Sequence, residues 1–243
     1  MNLGGDFEIM SPKSGSGAFI CAYGYSEPET ARFVMDYLKP GMTFWDVGAH
    51  LGEYSLLAAR NVGETGRVHA FEPQPKIFEF LQSNLATNQV RNVTVHQFAV
   101  TDQTGVSELS IHADPAQTYL TPQGCSPGTL GAILAPATSL DDFYRSSGRA
   151  PNLIKVDVEG AERLVLRGAV SLLRLPAPSA PVWVIEYAPE HCSRFGYHPE
   201  ELKATLATHG YDTFWLTDGG HLESSDLEPE WKYGINLVAA KHA

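Results

Sequence analysis

Phe44-Trp45-Asp46-Val47-Gly48-Ala49-His50-Leu51-Gly52, running on into Glu53-Tyr54-Ser55-Leu56-Leu57-Ala58-Ala59, is the stretch that decides the fold. An apolar run ends in an acid, breaks into a turn with two glycines and resumes as a helix: strand, tight turn, helix. Gly48 and Gly52 let the backbone approach a ligand with no Cβ in the way, and a helix opened there presents unpaired N–H groups. Gly66-Arg67-Val68-His69-Ala70-Phe71 then reads as a second strand that stops at Glu72-Pro73, 20 positions after Gly52. An acid at that place accepts hydrogen bonds from a ribose diol. Together these pieces are half of a nucleotide-binding sheet.

The spacing separates one class of nucleotide from another. A dinucleotide fingerprint is G-x-G-x-x-G with a diphosphate on the helix N-terminus. This chain has Asp46-x-Gly48-x-x-x-Gly52 instead. A carboxylate at the strand end repels phosphate and attracts ammonium. S-adenosylmethionine fits that description better than NAD, because its amino-acid part carries an ammonium, its sulfonium is cationic and its adenosine still offers a ribose diol.

Three stretches in order, Asp46-Val47-Gly48-Ala49-His50-Leu51-Gly52, His69-Ala70-Phe71-Glu72-Pro73 and Leu153-Ile154-Lys155-Val156-Asp157-Val158-Glu159-Gly160-Ala161-Glu162, resemble the class I methyltransferases of the FkbM type. The likeness runs from about Glu27 to Ala240. It implies a Rossmann-like α/β fold, with a seven-stranded, mostly parallel sheet, an antiparallel last strand and helices on both faces. It also implies S-adenosylmethionine as cofactor. His50 stands where the family more often has Asn; either side chain can donate a hydrogen bond to the cofactor.

A chain of 243 residues, 43% hydrophobic and 19% charged, fits one large α/β domain. We expect residues 1–26 to form an N-terminal arm or cap and residues 27–243 to form a single domain. With 17 basic and 28 acidic residues the net charge is −11, which argues against tight binding to a nucleic-acid backbone. Cys21, Cys125 and Cys192 form no Cys-x-x-Cys pair, so they indicate neither a disulfide framework nor a zinc site. No apolar run approaches the ~18 residues of a membrane span, and a soluble cytoplasmic enzyme is the simplest reading. A homo-oligomer is left open.

Along the chain, Ala18–Tyr23 reads as a strand or pairing arm, Pro28–Leu38 as a helix, Pro75–Asn88 as a second crossover helix and Val93–Val100 as the third strand. Asp102, just beyond that strand, and Ala99 mark the expected adenine site. Val106–Ile111 alternates like an exposed strand. From His112 to Pro136, glycines and prolines recur, so 112–136 reads as a long loop, either a substrate lid or a surface insertion. Thr138–Phe143 suggests a short helix, Asn152–Asp157 the fourth strand, Gly160–Leu175 a helix and Val182–Tyr187 a strand covered on both faces. A helix from His198 to His209 and two last strands, Tyr211–Leu216 and Ile235–Ala240, complete the pattern.

In an open α/β sheet ligands bind outside the carboxyl ends of the strands. Asp46, Glu72, Asp102, Asp157, Glu159 and Glu186 all fall at such ends. The expected cofactor contacts are Asp46, Gly48, His50, Gly52, Glu72, Pro73, Ala99, Asp102 and Asp157. Methyl transfer to a hydroxyl needs an oriented acceptor and a group that removes its proton. Asp157, Glu159, Glu186 and His191 are the candidates for that work, against plainer roles in which Asp157 orients backbone, Glu159 and Glu162 support a helix N-terminus and His191 is solvated. Lys155, Asp157 and Glu159 share one face if the strand persists through them. A divalent cation is compatible with these carboxylates but not indicated, since they lack a ligand-spacing motif. Tyr23, Tyr25 and Trp45 could line the pocket. The expected reaction is methylation of a hydroxyl on a small molecule, a sugar or a secondary-metabolite scaffold; N- or C-methylation, an NAD-dependent oxidoreductase and a non-catalytic cofactor-binding module are the alternatives.

Overall fold

The computed structural model describes residues 2–12, 15–112, 118–121, 129–226 and 235–242. The chain opens with a small hairpin, β1 (Asn2–Leu3) and β2 (Phe7–Glu8), then helices α1 (Gly15–Tyr23) and α2 (Pro28–Tyr37). The decisive stretch gives β3 (Thr43–Val47) and α3 (Glu53–Val62), followed by β4 (Arg67–Phe71), α4 (Pro75–Thr87) and β5 (Val93–His96). Next come β6 (Ala99–Val100), β7 (Gly105–His112), β8 (Tyr119–Leu120) and β9 (Thr129–Thr138), which form a separate sheet in the order β6-β9-β7-β8. The remainder is α5 (Leu140–Ser147), β10 (Leu153–Val156), α6 (Glu162–Arg167), α7 (Val170–Leu173), β11 (Val182–Tyr187), α8 (Pro189–Arg194), α9 (Glu200–Thr208), β12 (Asp212–Thr217), β13 (His221–Ser224) and β14 (Ile235–Ala240).

The main sheet runs β13-β12-β14-β11-β10-β3-β4-β5. Strands β11, β10, β3, β4 and β5 pair in parallel, while β14 runs antiparallel between β11 and β12. The antiparallel last strand is therefore present, but β13 folds back on β12 and makes eight strands rather than seven. Side-chain alternation splits the core into two layers. Trp45, Val47, Ile154, Val156, Trp183 and Ile185 face one apolar layer, closed by Val165, Leu172, Leu202 and Leu206. Phe44, Val68, Ala70, Leu153, Val184 and Val238 face the other, closed by Ala31, Val34, Leu56 and Leu81. Helices thus cover both faces, and no edge of the central strands meets water.

The structure corrects five local expectations. Ala18–Tyr23 is helical, not extended: Gly24, at φ +81, ends the turn and its N–H donates to the Ile20 carbonyl. The strand expected over Val93–Val100 stops at His96, and consecutive burial of Ala99 and Val100 marks where the chain changes sheets. The end of the expected 112–136 loop, from Thr129 on, belongs to β9, which pairs with β7 from Gly105↔Ala137 to His112↔Thr129. Gly131 and Pro136 read as breakers in the sequence, but the partner strand overrides them. Residues 113–117 and 122–128 of that loop, with Cys125, lie outside the described residues. His191 belongs to the short helix α8 rather than to a loop.

The fifth correction is the break of the Gly160–Leu175 helix into α6 and α7. Gly168 lies against the strand-to-strand turn, where a Cβ would meet the Thr101 carbonyl oxygen at 2.3 Å. Backbone packing there leaves no room for a continued helical surface. Replacing Gly168 by Ala should therefore destabilise the protein by about 1–3 kcal/mol, read as a lower urea midpoint with an unchanged slope. Gly131→Ala, which meets nothing within 4 Å, is the matched control and should be nearly neutral.

Candidate active site

A cavity of about 240 Å³ opens at the carboxyl ends of β3, β4 and β10. Its floor is the glycine turn. Gly48 (φ +86) sits so close to the end of β10 that a Cβ would lie 1.8 Å from the Asp157 carbonyl oxygen, so no other residue fits. The N–H groups of Gly48 and Ala49 both donate to the Phe71 carbonyl, at 3.1 and 2.9 Å, which ties the turn to the end of β4. His50 also takes positive φ, +48, and its N–H points at Glu72.

Glu72 anchors one end of the cavity. Its carboxylate accepts the His50 N–H at 3.0 Å through one oxygen and the Gln74 N–H at 2.8 Å through the other. Burial pushes its pKa up to about 7, partly offset by those two hydrogen bonds. Capping of α4, the plainer task for an acid here, is done by Gln74, whose side chain accepts the Ile77 N–H. Pro73, Phe71, Phe98 and Ala99 line the wall beside Glu72.

A second group of lining residues is built around a buried ammonium. Lys155 is 1% exposed, directly opposite Asp46 in the β10–β3 register. Its Nζ donates to Asp157 at 2.7 Å and lies 4.5 Å from the centre of the Tyr54 ring. Burial would lower its pKa, but Asp157, Glu27 and Asp46 outweigh that and raise it. Burial likewise opposes ionisation of Asp157, and the Lys155 charge reverses the effect and lowers that carboxyl's pKa. Glu27 accepts the Tyr54 hydroxyl at 2.6 Å and the Asn236 amide at 3.1 Å. Glu53 takes both the N–H and the hydroxyl of Ser26, and burial raises its pKa to about 7.

The third side carries a cluster of acids around an imidazole. Strand β10 ends at Val156, and Glu159 then turns with φ +58. Lys155, Asp157 and Glu159 are therefore not three residues of one strand face. The turn nonetheless aims Glu159 at the cavity, 3.4 Å from His191 Nδ1 and 3.7 Å from Arg194. His191 also meets Glu186, at the end of β11, at 3.0 Å. Burial pushes Glu159 up to about 7 and Glu186 to about 8, while the two carboxylates hold His191 above its ordinary range, at about 9, against the effect of its own burial. Glu162 accepts the N–H groups of Val158 and Gly160, so it braces this turn.

Of the expected residues, Gly48, His50, Glu72, Pro73, Ala99, Asp157 and Glu159 line the cavity, with Glu186 and His191 directly behind Glu159. Asp46 does not line it: it lies beneath the turn, accepts the Ser55 hydroxyl at 2.6 Å and has its pKa raised by burial to about 6. Gly52 supports the turn as the left-handed N-cap of α3, with Leu81 where a Cβ would go. Asp102 does not line the cavity; the chain leaves the main sheet after His96, and Phe98 and Ala99 line the wall there. Tyr23 is 68% exposed, Trp45 is packed in the core and Tyr25 lies against Gly4; none lines the cavity. Sequence reasoning missed Ser26, Glu27, Glu53, Tyr54 and the wall residues Leu109, Tyr119 and Leu120. A charged residue at 53 inside an otherwise apolar helix start was the available signal. Among the described residues, no group of three His, Cys, Asp or Glu side chains is arranged to hold a metal ion, and no helix is long and apolar enough to cross a membrane.

A family model described as the methyltransferase FkbM domain matches residues 46–213. The chain is 31% identical over 160 residues to the 31-O-demethyl-FK506 methyltransferase FkbM of Streptomyces tacrolimicus, covering 54% of this chain and 60% of that protein. It is 26% identical over 149 residues to the hexuronic acid methyltransferase AglP of Haloferax volcanii, covering 61% and 58%. The chain therefore spans about three fifths of the length of these relatives. Among solved structures, a methyltransferase FkbM from Methylobacillus flagellatus KT superposes with TM-score 0.54 at 18% identity, covering 91% of this chain and 52% of that one. A precorrin-6y C5,15-methyltransferase from Geobacter metallireducens GS-15 gives 0.52 at 18% identity, covering 97% and 93%. At these identities the likeness is one of fold, and it bears out the Rossmann-like α/β reading.

The titrations around the cavity predict how stability depends on pH. Glu53, Glu72, Glu159 and Glu186 hold protons in the folded chain at pH values where the unfolded chain has lost them, and so does His191. Stability from groups with raised pKa is complete below their unfolded values and fades as pH rises through the folded ones. His69 and His96 are lowered by burial and act in the opposite sense, but only up to about their ordinary 6.5. The ligand-free protein should therefore lose stability from about pH 5 to about pH 9, with Glu53, Glu72 and Glu159 acting up to about pH 7 and Glu186 and His191 carrying the loss beyond it. Urea midpoints across that range check this, and a flat or rising series would contradict the buried-acid picture.

Proposed function

This chain belongs to the FkbM methyltransferase family, and from that premise we propose that it moves the methyl group of S-adenosylmethionine to a hydroxyl oxygen of a small molecule, a sugar or a secondary-metabolite scaffold. One observation carries the cofactor reading: a buried carboxylate, Glu72, fixed by two backbone N–H groups at the end of β4, beside a glycine turn that a single Cβ would obstruct. Such a carboxylate suits a ribose diol. Five acids, Glu27, Glu53, Glu72, Asp157 and Glu159, border the cavity against one lysine, which favours a cationic nucleoside over a diphosphate.

When bound, S-adenosylmethionine supplies a methyl group already activated by its sulfonium. The protein's remaining tasks are orientation and proton removal. Asp157, kept ionised by Lys155, is suited to orient the acceptor. Glu159 is suited to take the hydroxyl proton, because its pKa near 7 matches a base working at neutral pH. His191 and Glu186 continue from it as a path along which that proton can leave. The names of the two relatives, an O-demethyl compound and a hexuronic acid, support an oxygen-rich small acceptor. The arm of residues 1–26 we read as part of one unit with residues 27–243, since it brings Ile20 and Ser26 to the cavity wall.

Calorimetric titration should give binding of S-adenosylmethionine and S-adenosylhomocysteine and none of NAD; NAD binding alone would overturn the reading. Glu72→Ala should weaken the sulfur nucleosides about 10- to 100-fold, as expected for loss of hydrogen bonds to a charged group. Glu159→Gln should keep cofactor affinity and lower kcat about 10²- to 10⁴-fold on a hydroxylated acceptor, with the methyl ether followed by mass. Full turnover in that variant would remove Glu159 as the base.

A further inference from the structure

An ammonium buried in the central strand of a parallel sheet is costly and is unusual without a task. Lys155 pays that cost between Ile154 and Val156, both fully buried apolar residues. Packing does not ask for it. Asp46, its cross-strand neighbour, feels the lysine's charge but accepts its hydrogen bond from Ser55 and none from Lys155. A lysine has three N–H donors. One goes to Asp157 at 2.7 Å, and the Tyr54 ring occupies a second side of the charge without accepting a conventional hydrogen bond. Lys155 is also the only lysine or arginine among the described residues that line the cavity. An ammonium with donor capacity left, facing a cavity, is a receptor for an anionic oxygen.

Its surroundings narrow the ligand further. Glu27, Glu53 and Asp157 line the same end of the cavity. A simple anion would be repelled by three carboxylates. A group carrying both signs within a few bonds would satisfy them together, its carboxylate on Lys155 and its ammonium among the acids. We propose that Lys155 binds the α-carboxylate of the methyl donor's amino-acid end, and that the Lys155, Glu27 and Glu53 cradle selects donors carrying an intact α-amino acid. This rests on the cofactor reading above and assigns the donor's amino-acid end. The same placement explains why the lysine is held rather than free to swing. Asp157 fixes the ammonium's direction, and Tyr54, anchored through its hydroxyl to Glu27, covers it.

The test compares S-adenosylmethionine with decarboxylated S-adenosylmethionine, which lacks only the carboxylate, by calorimetry without any acceptor present. The wild-type protein should bind the decarboxylated donor about 10-fold or more weakly. Lys155→Met should lose most of that difference by weakening the intact donor alone. Because removing one charge leaves Asp157 unpaired, the neutral pair Lys155→Met with Asp157→Asn serves as the second variant and should show the same loss of discrimination. Equal weakening of both donors in both variants would make Lys155 structural, and an unchanged ratio would exclude the carboxylate contact; either result overturns the proposal. If the wild-type protein binds neither donor, the cofactor reading itself fails, whereas strong binding of both without discrimination defeats only the role of Lys155.

Discussion

The approach of one backbone to another at Gly48 is the constraint on which the site depends. The turn after β3 presses on the Asp157 carbonyl at the end of β10, and the same turn donates two N–H groups to the end of β4. Three strand ends are thereby locked at one point, and the side chains that leave them have fixed origins. Glu72 comes from one, Asp157 from another and the backbone N–H of His50 from the turn between. A Cβ at 48 would part the strands by more than any side-chain adjustment could absorb, so the glycine is set by sheet geometry before any ligand is considered.

Around that point the chain gathers acids far beyond what packing would choose. Burial alone would neutralise them, and it does raise Glu53, Glu72, Glu159 and Glu186. Asp157 is the exception because Lys155 is beside it. The site therefore holds carboxyls of two kinds: one kept ionised, and several that change protonation close to neutrality. That separation is what distinguishes an orienting group from a proton acceptor when both have the same chemistry.

How much of this was legible in the sequence follows from what each signal measures. The glycine turn, the acid ending β4 and the apolar central strands are local patterns, and they gave the sheet, its helices and Glu72 directly. Alternation records that a segment is extended or half-buried, not which sheet it joins, so the strand over 106–111 is legible while the change of sheet at Ala99 and the pairing of 129–138 are not. Asp102 was assigned by counting from a strand end that lies at His96 instead. The apolar stripe over 160–175 reads as one helix, and only the Thr101 carbonyl behind Gly168 explains the break between α6 and α7. Lys155 was visible as a charge in an apolar strand, yet its partners Glu27 and Asp46 come from distant parts of the chain.

The N-terminal arm shows how such distant parts are held. Asn84 on α4 and Asn88 at its C-cap, one helical turn apart, treat the arm as a strand: Asn88 bonds the N–H and carbonyl of Glu8, and Asn84 those of Met10. Asn84 also donates to the Leu51 carbonyl, inside the glycine turn. One buried amide thus connects the arm, α4 and the cavity floor. At the arm's other end Ser26 grips Glu53 with its N–H and hydroxyl, and Glu27 follows immediately. The family match begins at residue 46, so these residues lie before it. Part of the surroundings of Lys155, Ser26 and Glu27, is consequently supplied by a segment before that match, while Glu53 and Tyr54 come from within it, and the segment's fit to the turn rests on two asparagines and a serine rather than on apolar burial alone.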